Sequence, residues 1–316
     1  MSDQNKEQNW GLVLSGGGAK GAYQIGVWKA MKELGIESWI GGISGASIGA
    51  LNAALFACGD YKMAETAWAE VDLLSVFDTE WALLDGKEGT FSREEMLTLI
   101  RRYVQFSKLM TRKEPVICSV SRLLSNDQYR SSIQGLMGET VYAGEYMHID
   151  GRTAEMVESV LLASSALPLV YEPVAINGAY YRDGGLTDNV PIQPLYDLGY
   201  RKIILIGLKA EMKRMEAAYP DVEFLSIYPS YPLGDLFRGT LNFQPRHIKA
   251  CEQLGYKDGI RTIHAWKTGD TDSLHMQELA KLDYEAVLAD LHREELQDSI
   301  GDHMATLQGI IDRYSE

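Results

Sequence analysis

Glycine crowds the start of this chain. Twelve of its thirty glycines fall in the first sixty positions, so the backbone there needs conformations or close approaches that a Cβ would block. Short apolar segments run between them. Trp10 to Leu14 reads as a buried strand that feeds Gly16-Gly17-Gly18-Ala19-Lys20-Gly21. From Gly21 to Leu34, the residues Ala22, Ile25, Val27, Trp28, Met31 and Leu34 recur at helical spacing, with Gly35 as the C-cap. Trp39 to Ile43 is a second short strand, and Ser47 to Ala57 a second helix, buried on most sides. Strand, glycine loop, helix, strand, tight turn, helix is a βαβα start and predicts an α/β fold on a mainly parallel sheet.

The same pattern continues. Helices are expected at 61–71 and at 92–104, the second opened by a capping box at Ser92-Arg93-Glu94-Glu95. Pro115 to Val120 alternates like a strand, 153–165 is helical, and strands follow at 170–176, 180–182 and 202–208. A strand at 223–228 then precedes helices at 245–261, 275–292 and 294–313. Residues 10–208 read as an α/β body and 209–316 as a mostly helical C-terminal extension. Ser38 to Gly59 carries no charge, but its five glycines, Ser44, Ser47 and Asn52 are too polar and flexible for a membrane helix. The polar start lacks the apolar core of a signal peptide, so a cytoplasmic protein is expected.

Charge and cysteine narrow the function classes. The formal net charge is −14, which argues against a nucleic-acid partner and against tight docking on anionic lipid. Residues 270–316 hold twelve acids against three bases, a tail that reads as a solvated helical face. Cys58, Cys118 and Cys251 are too few and too scattered for a disulfide framework, and without CxxC or HExxH no metal site is expected.

Three short motifs carry chemistry. Gly16 to Gly21 satisfies GxGxxG, which fits a dinucleotide loop, an oxyanion loop or a plain tight turn. No acid stands at the tip of the second strand to grip a ribose; Glu37 precedes that strand. In the oxyanion reading, consecutive glycine N–H groups at a helix N-terminus face a developing alkoxide. Gly45-Ala46-Ser47-Ile48-Gly49 is GxSxG, placed between strand and helix where a nucleophile elbow has to be. Gly45 and Gly49 clear the space around it, although Ser47 would serve equally as an N-cap for the helix. A serine nucleophile needs a base. His148, His247, His264, His275, His292 and His303 are scattered without a strand-end signature. Asp183, after the short strand at Tyr180 and before Gly184 and Gly185, is the stronger candidate, since burial raises a carboxylate's pKa toward useful basicity. Asp188 reads as a turn or cap residue before Pro191.

In this order and spacing, the motifs resemble the patatin-like phospholipase family over residues 11–208. Gly-Gly-Gly-Ala-Lys-Gly resembles its oxyanion loop, Gly-Ala-Ser-Ile-Gly its elbow and Asp183-Gly184-Gly185 its acidic segment. The stretch Ala163-Ser164-Ser165-Ala166-Leu167-Pro168 resembles the segment ahead of that acid. Ser15 stands where many members carry Asp. The resemblance implies a three-layer α/β/α fold, Ser47 as nucleophile, Asp183 as its base, the N–H groups of Gly16, Gly17, Gly18 and Ala19 as oxyanion donors, Lys20 at the family's basic position, and no cofactor. It also implies a lipid or other acyl-ester substrate, met during transient contact with a membrane or micelle. Hydrolysis, acyl transfer to an alcohol or thiol, and a silent binding protein all fit these residues; a dinucleotide-binding domain fits less well.

Overall fold

The computed structural model describes residues 9–71, 93–124, 142–168, 170–270 and 274–293. These belong to two units, Met1–Asp270 and Thr271–Glu316. The capping serine expected at Ser92 and the helix expected at 294–313 lie outside the described residues.

The first unit is built on a mixed eight-stranded sheet in the order β5-β6-β3-β2-β1-β7-β8, with β4 also paired to β3. Its strands are β1 (Trp10–Leu14), β2 (Ile40–Ala46), β3 (Val116–Leu123), β4 (Tyr142–His148), β5 (Val174–Ile176), β6 (Ala179–Asp183), β7 (Lys202–Ile206) and β8 (Glu223–Ile227). The βαβα start sets a parallel core of β3, β2, β1, β7 and β8. Strands β4, β5 and β6 join antiparallel at one side. Consecutive residues Leu12, Val13 and Leu14 are all buried, so both faces of the central strand are covered and the fold has three layers.

Helices α1 (Ala22–Glu33), α2 (Ile48–Cys58), α3 (Tyr61–Val71), α4 (Arg93–Tyr103), α5 (Phe106–Thr111), α6 (Ala154–Ser164), α7 (Gln193–Asp197) and α8 (Pro245–Thr268) complete this unit. On one face of the sheet, Val13 and Leu205 pack with Ile192 and with Leu195 of α7. Residues 209–270, which the sequence groups with the C-terminal extension, supply β8 to the sheet and α8 to a crossing with α1. That crossing is tied by Asp258, which accepts the Tyr23 hydroxyl at 3.0 Å and the Ser230 N–H at 2.9 Å. In the second unit, residues 274–293 form one helix, α9. No helix of the described residues is long and apolar enough to cross a membrane.

Helix α2 sits against the carboxyl end of β1, and Gly49 permits it. A Cβ at Gly49 would collide with the Leu14 carbonyl and lie 2.7 Å from that of Ser15. Gly49→Ala is therefore expected to destabilise the fold by about 1–3 kcal/mol, since backbone has to move to admit one methyl group. An unchanged denaturation midpoint in Gly49→Ala would show that α2 does not rest there.

Candidate active site

Strand β3 is the ruler on which the site is laid out. Its first residues pair with β2, from Ile43 opposite Val116 to Ala46 opposite Ser119. Its next residues pair with β6, from Val120 opposite Asp183 to Arg122 opposite Tyr181. Because β4 pairs with β3 throughout, from Ile117 to Leu123, β2 and β6 share the other edge and meet end to end. The carboxyl ends of two strands running in opposite directions thus face each other across one residue step. Ser47 follows β2, Asp183 ends β6, and the Ser47 hydroxyl donates to Asp183 Oδ2 at 2.6 Å.

The elbow is strained and well held. Ser47 has φ 55° and ψ −126°, a conformation that costs a non-glycine residue about 1–3 kcal/mol. Its carbonyl accepts the Ala50 N–H at 2.9 Å, and its N–H donates to Ser164 Oγ at 3.0 Å. The Ser164 hydroxyl in turn donates to the Ser119 carbonyl at 2.8 Å. Ser47 does stand at the N-cap of α2, but its side chain makes no capping bond; the hydroxyl is turned to the carboxylate instead.

Asp183 is 3% exposed. Its other oxygen accepts the Gly185 N–H at 2.7 Å. Burial pushes its pKa up to about 6, against the opposing pull of the hydrogen bonds from Ser47 and Gly185. The main chain on either side is fixed as well: the Asp183 N–H donates to the Ala166 carbonyl at 3.0 Å, and the Ser121 hydroxyl donates to the Asp183 carbonyl at 2.8 Å. Asp188 is a turn residue, accepting the Val190 N–H at 3.1 Å.

The glycine loop faces this pair across a cavity of about 290 Å³. Gly16 is corrected as an oxyanion donor, because its N–H donates to the Asn189 carbonyl at 3.1 Å while Asn189 Nδ2 reaches the Gly16 carbonyl at 3.3 Å. Gly17, Gly18 and Ala19 begin a 3₁₀ turn, Gly18–Gly21, where no intrahelical carbonyl reaches the first N–H groups. Gly18 is left-handed at φ 60°, and a Cβ there would strike Thr240. Ser15 supports the loop from below, its hydroxyl accepting the Leu208 N–H at 3.0 Å. Lys20 is buried, and its Nζ has no hydrogen-bond partner among the described residues. Burial and then the neighbouring Lys209 pull its pKa down.

The structure thus brings Ser47, Asp183, Gly184, Gly185 and the Gly17–Gly21 loop together, with Gly45 and Gly49 packed behind the elbow. The sequence alone assigns no role to Ser164, Asn189 or Lys209. Ser164 and Asn189 stand inside motif segments, which is their one signal; Lys209 has none.

A family model described as patatin-like phospholipase matches residues 12–196. Over 201 residues the chain is 29% identical to Lysophospholipase NTE1 of Cryptococcus neoformans var. neoformans serotype D, covering 64% of this chain and 11% of that protein. Over 212 residues it is 26% identical to Patatin-like phospholipase domain-containing protein 6 of Homo sapiens, covering 66% and 14%. The chain therefore spans little more than a tenth of these relatives' length. VipD from Legionella pneumophila is similar in structure at a TM-score of 0.46 and 15% identity, over 82% of this chain and 67% of that one. With more than half of its length inside the family match, from β1 through most of α7, the chain belongs to the patatin-like phospholipase family.

Proposed function

We propose that this protein is a serine lipid acyl hydrolase, of the phospholipase, lysophospholipase or esterase type, working through a Ser47–Asp183 dyad and an acyl-enzyme. The observation that carries the reading is the 2.6 Å bond from a strained elbow serine to a buried carboxylate. A base whose pKa is raised to about 6 is far better matched to an alcohol proton than an ordinary carboxylate.

Ser47 Oγ attacks the ester carbonyl carbon as its proton passes to Asp183 Oδ2. The tetrahedral oxyanion is held by the N–H groups of Gly17, Gly18 and Ala19, each donor supplying about 2.7–4 kcal/mol of transition-state stabilisation. Collapse breaks the carbonyl carbon–oxygen bond, and the departing alkoxide takes the proton from Asp183. Water then attacks the acyl-Ser47 ester and gives a proton to Asp183, which returns it to Ser47 Oγ as the fatty acid leaves. Lys20 and Lys209 both line the cavity beside the glycine loop, and basic side chains there give a field that fits a phosphate-bearing lipid. Lysophospholipase is the name carried by a relative of the chain, and it agrees with that field.

The dyad predicts a pH profile. Because Asp183 has to be ionised to accept the proton, kcat/KM on p-nitrophenyl butyrate should rise through a single ionisation near pH 6 and level above it. Release of fatty acid from a lysophospholipid should follow the same curve. A profile flat through that region removes Asp183 as the base, and inertness toward every ester and lysophospholipid, with detergent present, removes the hydrolase reading.

A further inference from the structure

Behind Ser47 lies a second cavity, of about 110 Å³, between α2, α3 and α4. It shares Ile48, Leu51, Met96, Tyr171 and Phe243 with the catalytic cavity, so these five side chains line both. Ile48 directly follows the nucleophile in sequence. The remaining walls include Leu55 of α2, Ala67 and Trp68 of α3, and Leu99, Ile100 and Tyr103 of α4.

The polar atoms of Asn52, Trp68 and Tyr103 are engaged with other partners. Asn52 Nδ2 donates to the Gly21 carbonyl at 3.0 Å and to Gln24 Oε1 at 2.8 Å. Asn52 Oδ1 accepts the Trp68 Nε1–H at 2.9 Å. The Tyr103 hydroxyl is held by Glu70. Glu95, in the first turn of α4, contributes a carboxylate to the lining. The catalytic cavity has another neighbour. It shares Asn189 and Lys209 with a cavity walled by Asp188, Glu211 and Arg214 along with Val190, Met212 and Met215. Charged side chains are thus concentrated beside Asn189 and Lys209, and apolar ones beside Ile48 and Leu51, a contrast that suits an amphiphile.

We infer that the alkyl tail of the substrate's acyl group lies in the chamber between α2, α3 and α4, entering past Ile48 and Leu51. This deepens the hydrolase reading above and rests on it for the identity of the bound group. Each methylene moved from water into such a chamber tightens binding about fourfold. Ala67 is the smallest side chain of the inner wall, so a larger residue there shortens the longest chain that fits, and a smaller one at Leu99 lengthens it.

The test uses p-nitrophenyl esters from acetate to palmitate, with wild type, Ala67→Phe and Leu99→Ala, both checked for folding by circular dichroism. A fluorescent long-chain fatty acid is titrated alongside into Ser47→Ala and into Ser47→Ala combined with Ala67→Phe, a readout that needs no turnover. Ala67→Phe is expected to lower kcat/KM for the longest esters, relative to butyrate, roughly ten- to a hundredfold. Leu99→Ala should move the optimum toward longer chains, and keeps the test open if Ala67→Phe does not fold. The fatty acid should bind Ser47→Ala and be lost from the double variant. Chain-length profiles that coincide with wild type overturn the chamber and leave the hydrolase standing. Fatty-acid binding that Ala67→Phe weakens, in a protein inert on all esters, supports the chamber and overturns the hydrolase. A protein that neither hydrolyses esters nor binds the fatty acid overturns both.

Discussion

Ser47→Ala is expected to lower ester hydrolysis by roughly four to six orders of magnitude while leaving the protein folded. The variant keeps the main-chain bonds that hold the elbow, the Ala50 N–H on the residue 47 carbonyl and the residue 47 N–H on Ser164. It keeps the strained φ as well, since alanine has a Cβ like serine. What it loses is one oxygen and the hydrogen bond to Asp183. A fluorophosphonate ester should label wild type at Ser47, read as a mass increase on the peptide that contains it, and leave Ser47→Ala unlabelled. Retention of even a tenth of the wild-type rate would move the nucleophile elsewhere. Labelling without the loss of activity would do the same.

Asp183→Asn should lose activity by about 10⁴-fold and yet gain stability at neutral pH. The sign follows from the raised pKa. In the unfolded chain this carboxyl ionises near 3.8, in the folded one near 6, so between those values the folded state holds the extra proton. Stability falls as pH rises through that window and levels above about 6, where both states are ionised. The shift amounts to about 3 kcal/mol held against folding at pH 7. Asparagine removes the charge, and its amide oxygen still accepts the Gly185 N–H. Urea midpoints for both proteins should therefore differ most at pH 7, with the variant higher, and converge as pH is lowered toward 4. A variant that melts lower at pH 7 would show that the carboxylate is not held at a burial penalty.

Much of this arrangement is legible in the residue order because it is local. The strand, glycine loop and helix from Trp10 to Glu33, and the strand, elbow and helix from Ile40 to Cys58, are set by apolar spacing and by the glycines that punctuate it. Strand β4 is a different matter: Tyr142 to His148 contains Gly144 and Glu145 and is only partly buried, so no alternation marks it. The bond that takes Gly16 out of the oxyanion set reaches 173 residues to Asn189, and Ser164 meets the elbow across 117. Such partners are fixed by strand register, which no short window of sequence contains. Residues 209–270 look like an extension in the sequence for a related reason. Their strand and helix are visible there, but the pairing of β8 with β7 and the packing of α8 on α1 are properties of the folded sheet.

The meeting of β2 and β6 on one edge of β3 also has a consequence in time. The hydroxyl and its carboxylate are 136 residues apart in the chain. During synthesis the elbow emerges long before Ala179 to Asp183, and a chain ending short of them lacks the carboxylate that Ser47 meets. Under the proposed dyad, a fragment or a half-made copy is expected to be inert toward esters. Ester turnover is then expected only once the strand that completes the β3 edge is in place, a late reporter of correct assembly.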